Sequence, residues 1–285
     1  MDLPSLAIKV SRSENIGVLG PAVTKILKLA PDPAAGANAL EDALNMEPAL
    51  MARVLKAANS PLYALRNPAS TVSAAVMVLG MKAVQSLVVG AAYNLAVSDR
   101  NLVANFDKHA YWVHSLAVAI AAKKLAIAAS RFDAEDFYTM GMLHEVGMLA
   151  LEKHCPKEWD RALLGARTTK LPLHLVETKL LSFSHRDAGV VMLEKWGMDE
   201  RITETLRHLH NPPFEHKHGF EIGLLSVADV VAHQAGFKSQ SPDVEVEFDS
   251  ICLDLLGLED EPIEKLIETL PGEVADAELA YTNVK

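Results

Sequence analysis

The sequence predicts an almost entirely α-helical protein, and three observations support this fold class. Apolar residues recur every three or four positions along most of the 285 residues, as on one face of an amphipathic helix. Aromatic residues make up only 6%, whereas Ala, Leu, Val and Met are abundant, which favours helix packing over a sheet. Strand-like alternation occurs only in brief runs such as residues 244–248. We therefore expect helices with little or no sheet.

In the first half of the chain, proline and glycine mark the helix boundaries. Proline suits the first turn of the helices that open at Pro21 and Pro48, and Pro31 and Pro61 end the helices before them. Gly80 separates two apolar segments. The predicted helices are residues 21–30, 37–46, 47–58, 71–79 and 81–97.

In the second half, capping residues mark the helix starts. Asp133 and Asp199 are suitable N-caps, and residues 184–187 resemble a capping box. The predicted helices are residues 105–130, 133–151, 185–196, 199–211, 220–235, 248–256, 261–270 and 273 onward. A polar break at residues 98–101 separates two apolar blocks, so we expect an N-terminal domain over residues 1–100 and a second domain over residues 101–285.

Charge and cysteine usage exclude several functional classes. The net charge of −10, without a run of Lys and Arg, argues against a nucleic acid partner. No segment has the roughly 18 uninterrupted apolar residues of a membrane span, and the N-terminus lacks the apolar core of a signal peptide. Two isolated cysteines, Cys155 and Cys252, indicate a reducing compartment. We therefore expect a cytoplasmic protein without a membrane partner.

Three titratable residues lie within apolar helical stripes and should point toward the core. These are His114, His144 and Asp229. A single histidine in such a stripe is more often an ordinary hydrogen-bonded core residue than a ligand. A buried carboxylate, however, needs a cation, a histidinium or a metal beside it. Two imidazoles and a carboxylate from different helices form a ligand set suited to Fe, Mn, Zn or Mg, and Glu145 could supply another oxygen.

Two further histidines fit the edge of such a site or a second metal. His185 leads an apolar stripe, and His210 is in phase with the apolar face of its helix, whereas His208 lies on the wetter face. The sequence offers no reason to include His233, which we interpret as a core histidine, or His216 and His218, which we expect to be solvated.

Several segments resemble known families. Residues 143–148, LHEVGM, resemble the His-Asp doublet of HD-superfamily phosphohydrolases, usually LHDIGK, with His114 and Asp229 as the upstream and distal partners. Residues 47–55, 58–63 and 74–80 resemble the HDOD family, and the resemblance covers residues 16–270. It implies a helical N-terminal subdomain packed on an HD-like helical bundle. It also implies a bacterial signalling role and no catalysis.

The candidate site departs from the active HD pattern at two positions. His114, His144 and Asp229 match metal-binding positions, but Glu145 replaces the aspartate and Met148 stands where HD-GYP hydrolases carry lysine. The resemblance therefore implies a stand-alone signalling module that binds a signalling protein, with a metal or another ligand as a further partner. The alternative is a metal-dependent phosphohydrolase that acts on nucleotides or cyclic dinucleotides.

Overall fold

The computed structural model describes residues 2–12, 21–27, 29, 33–61, 63–98, 101–209, 215–240 and 246–282. These residues form sixteen helices and no strand, so the predicted all-α fold class is confirmed. Residues 246–248 of the alternating run at 244–248 are described and form no strand, whereas residues 244 and 245 lie outside the described ranges.

The first six helices follow the predicted order after one helix that the sequence analysis did not assign. This first helix buries Leu6 and Val10, one turn apart. Thr71 caps α5 by accepting a hydrogen bond from the Ala74 amide, and Gly80 has a positive φ of 89° that lets α6 start immediately. The bounds are α1 Leu3–Arg12, α2 Pro21–Leu27, α3 Pro33–Asn45, α4 Pro48–Ala58, α5 Val72–Leu79 and α6 Met81–Ser98.

The remaining ten helices include two that the sequence analysis left unassigned, α10 and α11. The capping box at Ser184 and Asp187 and the cap at Asp199 are both present. The bounds are α7 Lys108–Ala128, α8 Ala134–Leu143, α9 Gly147–His154, α10 Pro156–Thr169, α11 Leu173–Leu181, α12 His185–Trp196, α13 Glu200–Arg207, α14 Gly219–Gln234, α15 Ser250–Leu256 and α16 Asp260–Thr282.

Several predicted helix boundaries were wrong, including the start of α3, which lies at Pro33 instead of residue 37. The helix predicted over residues 133–151 is broken at residues 144–146, and α13 ends at Arg207 rather than near residue 211. The two helices predicted over 261–270 and 273 onward form one helix, α16, with Pro271 inside it. An interior proline opposes a helix. Burial of Leu270, Val274 and Ala277 on both sides of the proline offsets that cost.

Helix α7 lies at the centre of the fold and packs against α6, α8, α14 and α16. It is also the one described helix that is long and apolar enough to cross a membrane, but 72% of that apolar window is buried inside the protein. Its hydrophobicity is therefore that of a core helix.

Helix α16 contacts helices on both sides of residue 100, namely α4, α6, α7 and α14. Near its C-terminus, Arg53 donates to the carbonyl of Tyr281 at 2.6 Å and Lys56 donates to that of Leu279 at 2.9 Å. Cations stabilise the unsatisfied carbonyls at a helix C-terminus. The last described helix thus ties α4 to the second half of the chain, and a domain boundary at residue 100 stays a prediction.

Asp133 stands at the N-cap position of α8 but makes no side-chain cap hydrogen bond. Its carboxylate instead accepts two hydrogen bonds of 3.0 Å from Arg131 and another from Arg201 on α13. Burial alone would raise the pKa of Asp133, but these hydrogen bonds outweigh it and lower the pKa to about 2. The residue therefore joins α8 to α13 instead of capping α8.

Asp133→Asn is expected to lower the free energy of unfolding by about 1 kcal/mol at pH 7. This value allows for the partial exposure of the ion pair. Because the pKa is lower in the folded state than the ordinary 3.8, this stabilisation is complete above pH 3.8 and disappears as the pH falls through 2. Urea unfolding at pH 7, 4, 3 and 2 measures it. A difference between wild type and variant that stays constant over this range contradicts the ion-pair explanation.

Candidate metal centre

The candidate residues reach one point from three parts of the chain. His114 lies on α7, Asp229 lies on α14, and His144 and Glu145 lie in the turn between α8 and α9. His114, His144 and Asp229 are all buried. The structure therefore brings together four of the six residues that the sequence analysis selected.

Helix α8 ends at Leu143, and His144 begins the turn that follows. The carbonyl of Gly141 is among the last four of α8, which have no partner within a helix. His144 supplies one, since its Nδ1 lies 2.7 Å from that oxygen. Hydrogen bonds from Val146 to Leu143 and from Met148 to Glu145 tighten the chain before α9 begins. This hydrogen bond fixes the ring of His144 toward α7 and α14.

The facing atoms of the cluster lie within reach of a single ion. The Nε2 atoms of His114 and His144 are 3.1 Å apart. The Oδ1 atom of Asp229 lies 3.2 Å from the first of these nitrogens and 4.0 Å from the second. Ligands that bind one transition metal at about 2.0–2.2 Å lie roughly 3–3.5 Å from each other. The spacing of the three atoms is therefore close to that of a shared cation.

The hydrogen bonds behind the rings decide which nitrogens face the cluster as acceptors. His114 Nδ1 lies 2.8 Å from the carbonyl oxygen of Phe237, and His144 Nδ1 is bonded to a carbonyl as well. A carbonyl only accepts, so both Nδ1 atoms carry hydrogen, and in the neutral rings both Nε2 atoms present lone pairs. Two lone pairs and a carboxylate that face each other require a cation between them. This is the donor set that a divalent metal fits.

In the absence of a metal, a proton can fill that role. Burial alone lowers the pKa of His114, but the carboxylates of Glu145 and Asp229 outweigh it and raise the pKa to about 9. Burial, together with the neighbouring His114, lowers the pKa of His144 to about 4. The metal-free cluster therefore carries its proton on His114, beside Asp229.

Glu145 reaches the edge of the cluster rather than its centre. Its Oε2 lies 3.8 Å from His114 Nε2 and accepts a hydrogen bond of 2.6 Å from the Ser239 hydroxyl. Gly236, two residues after the end of α14, has a φ of 96° and turns the chain so that Phe237 and Ser239 both contact the cluster. Ser239 was not selected from the sequence, because only the turn at Gly236 places it there.

His233 belongs to the cluster, and interpreting it as an ordinary core histidine missed this. It lies one turn after Asp229 on α14, and its Nε2 is 3.8 Å from Asp229 Oδ1. Its ring lies edge-on to that of His114, with centroids 5.2 Å apart. His114, Asp229 and His233 form a second set of atoms close enough for one ion. The spacing of four residues from Asp229 was the available signal.

The other two selected histidines differ in outcome. His185 lies in the wall of an adjoining pocket, and its Nδ1 contacts the buried carboxylate of Glu177 at 2.7 Å. This carboxylate orients the ring as in many metal-binding histidines. His210 lies outside the described residues.

The adjoining pocket has a volume of about 300 Å³ and is partly open to solvent. Its lining includes Glu145, Met148, Arg186, Asp229 and His233. Arg186 also escaped the sequence analysis. Burial lowers the pKa of its guanidinium, and the carboxylates of Asp229 and Glu145 act in the opposite direction. The pocket therefore adjoins a cluster of metal-compatible side chains, and its own lining adds one arginine that can contact an anionic ligand and an apolar side chain at Met148.

Comparison with known proteins identifies a family whose model matches most of the chain. The HDOD domain model matches residues 16–212, a range that includes His114, His144 and His185 but ends before Asp229. A protein of Treponema pallidum (strain Nichols), described as uncharacterized, is 24% identical over 175 residues, or 60% of this chain and 33% of that protein. The chain thus spans about a third of the length of this curated relative.

Three solved structures have the same fold. An HDOD domain protein of unknown function from Geobacter sulfurreducens has a TM-score of 0.79 and 21% identity over 98% of this chain and 97% of that one. A Shewanella amazonensis protein proposed to be a phosphohydrolase has a TM-score of 0.74 and 23% identity over 98% of both chains. A Marinobacter aquaeolei protein proposed to act in signal transduction has a TM-score of 0.72 and 22% identity over 98% of this chain and 65% of that one.

Proposed function

The chain belongs to the HDOD family, and we propose that it is a signalling module whose His–Asp pocket binds a divalent metal and whose output is the binding of a partner protein. The observation that carries this proposal is the convergence of His114 Nε2, His144 Nε2 and Asp229 Oδ1, three acceptors within 3.1–4.0 Å of one another. Such an arrangement needs a positive charge within it, which a metal ion supplies, or a proton on His114 when no metal is bound. Residues His114, His144 and Asp229 would hold the metal, with Glu145 or His233 at its edge.

Two features argue against efficient hydrolysis by this site. The Ser239 hydroxyl holds the longer side chain of Glu145, whose nearest oxygen lies 3.8 Å from His114 Nε2. Met148 contributes an apolar side chain to the pocket, where a lysine could otherwise contact a phosphate. Misplacement of a catalytic group by about 1 Å can cost a hundredfold in rate. The pocket thus keeps the means to bind a ligand while lacking two groups of the active pattern.

One observation favours the alternative, a metal-dependent phosphohydrolase acting on nucleotides or cyclic dinucleotides. Arg186 lines the pocket beside Asp229 and Glu145, where a guanidinium can neutralise a phosphate. A metal bound next to it would supply a Lewis acid and an activated water. The same arginine serves a binding module equally well, since anion recognition requires no turnover.

Metal binding and turnover separate these two functions. We expect wild-type protein loaded with Mn²⁺ or Fe²⁺ to hydrolyse no cyclic dinucleotide, and Glu145→Asp to remain inactive because Met148 is unchanged. His144→Ala should weaken metal binding by about tenfold or more. Elemental analysis, a phosphate-release assay and thermal melts measure these effects.

His144→Ala should also lower the free energy of unfolding by about 1–3 kcal/mol, because it empties a buried space and leaves the Gly141 carbonyl without its donor. His109→Ala is the matched control, since His109 is largely exposed and pairs with Glu278. Metal-dependent turnover by wild type that His144→Ala abolishes without loss of stability would establish the phosphohydrolase instead.

A further inference from the structure

A second group of metal-compatible side chains lies at the connection between α13 and α14. Glu204 and His208 stand one turn apart on and just after α13, and His216 lies three residues before α14 begins at Gly219. Glu204 Oε2 is 3.7 Å from His208 Nε2 and 3.8 Å from His216 Nε2. The two imidazole rings have centroids 4.9 Å apart. We propose that these three side chains bind a transition metal ion of the Zn²⁺, Ni²⁺ and Cu²⁺ class at a site separate from the central cluster.

The distances between Glu204 and the two histidines fit shared metal coordination better than direct hydrogen bonds. Both nitrogen–oxygen distances exceed hydrogen-bond length, yet the Nε2 atoms of both imidazoles lie near the same carboxylate oxygen, Glu204 Oε2. The three ligand atoms lie within 4.8 Å of one another, so small side-chain movements bring them around one ion. Imidazole and carboxylate ligands suit zinc, nickel and copper better than magnesium or calcium.

Charge and exposure also suit a metal that exchanges with solvent. Arg207 donates to Glu204 Oε1 at 3.0 Å, which leaves Oε2 directed toward the histidines. A carboxylate is charged at neutral pH, so Oε2 can bind a cation. All three side chains are partly exposed, and water can complete the coordination at a site with three protein ligands.

Binding has a structural consequence at His218. In the metal-free protein, the His218 amide donates to His216 Nδ1 at 3.1 Å, so the neutral ring carries its hydrogen on Nε2. Coordination through Nε2 displaces that hydrogen, and a neutral ring must then carry hydrogen on Nδ1. The hydrogen bond from His218 must therefore break as the metal binds. The ion would tie α13 to the segment that leads into α14, the helix that carries Asp229 and His233.

A zinc titration of untagged, metal-free protein tests the site. The variants are His208→Ala/His216→Ala, Glu204→Gln and the control His109→Ala, all compared with wild type by isothermal calorimetry. We expect the double variant to bind one equivalent of Zn²⁺ fewer than wild type and than His109→Ala. Glu204→Gln should raise the dissociation constant of the Zn²⁺ ion at this site by about tenfold or more. The comparison counts a difference, so it holds whether or not the central cluster also binds zinc.

Two outcomes decide the proposal. Loss of one equivalent in the double variant, together with a zinc-dependent shift of the His218 amide resonance in wild type, supports it. Equal stoichiometry in wild type and the double variant overturns it, provided that far-UV circular dichroism shows both folded. His144→Ala separates this site from the central one, because it should leave the His218 shift intact even if it removes zinc from the central cluster.

Discussion

Gly147→Ala is expected to destabilise the protein by about 3 kcal/mol, near the upper end for overpacking in a core. A Cβ atom at Gly147 would lie 1.8 Å from the carbonyl oxygen of His185 and 2.5 Å from the amide nitrogen of Gly189. Both are backbone atoms of α12, so no side-chain rotation relieves the overlap. Helices α9 and α12 must therefore separate.

Urea unfolding of Gly147→Ala beside Gly272→Ala measures this effect. Gly272 lies in α16, where an added Cβ meets nothing within 4 Å. Alanine is a better helix former than glycine, so the control should be stabilised by about 0.5–1 kcal/mol. If both variants change stability by similar amounts, the close approach of α9 and α12 is not what Gly147 provides.

Gly147→Ala should also change the geometry of the candidate metal centre. Gly147 follows Glu145 by two residues and contacts the backbone of His185, which lines the same pocket. A shift of α9 therefore moves the turn that carries His144. We expect Gly147→Ala to weaken metal binding even at temperatures where the variant remains folded.

Tyr281→Ala is expected to lower the free energy of unfolding by about 3–5 kcal/mol, as for other buried aromatic residues. The side chain is almost completely buried near the end of α16. Its ring packs edge-on against Trp112 of α7, with centroids 5.4 Å apart. It also fills a notch above Gly90 of α6, where an added Cβ would lie 2.5 Å from its hydroxyl oxygen. One side chain therefore joins the last described helix to both halves of the core.

Tyr281→Phe is the matched control for this second prediction. It keeps the ring and removes only the hydroxyl, which lies 3.3 Å from the hydroxyl of Tyr138. We expect Tyr281→Phe to lower the free energy of unfolding by no more than about 1.5 kcal/mol. Thermal and urea unfolding monitored by circular dichroism compare the two. Equal losses for Ala and Phe would assign the effect to the hydroxyl contact instead of ring packing.

The sequence does not reveal why either residue matters for stability. Gly147 lies within the LHEVGM motif, but nothing local shows what its missing side chain allows, and Tyr281 lies in an acidic C-terminal segment. Each acts through a contact with a residue distant in the chain, His185 or Gly90. Such long-range contacts leave no periodic pattern in the sequence, so the sequence does not predict them.

The sequence alone determined the fold class and most helices, because apolar periodicity and capping residues are local properties. The phase of His114, His144 and Asp229 within apolar stripes likewise predicted that they face the core, where the structure brings them together. The departures at Glu145 and Met148 were visible only through the resemblance to the HD motif.

Only the tertiary structure decided the break at His144, the arrival of Ser239, His233 and Arg186 around the pocket, and the grouping of Glu204 with His208 and His216. Each depends on how helices distant in the chain pack and on where a turn sends the backbone. These are long-range free-energy balances, in which burial and hydrogen bonding compete with local helix preference. A helix periodicity continues through residues 133–151, yet the hydrogen bond from His144 to Gly141 and the approach of α12 to Gly147 accompany a turn there. That turn aims the His144 ring at His114 and Asp229.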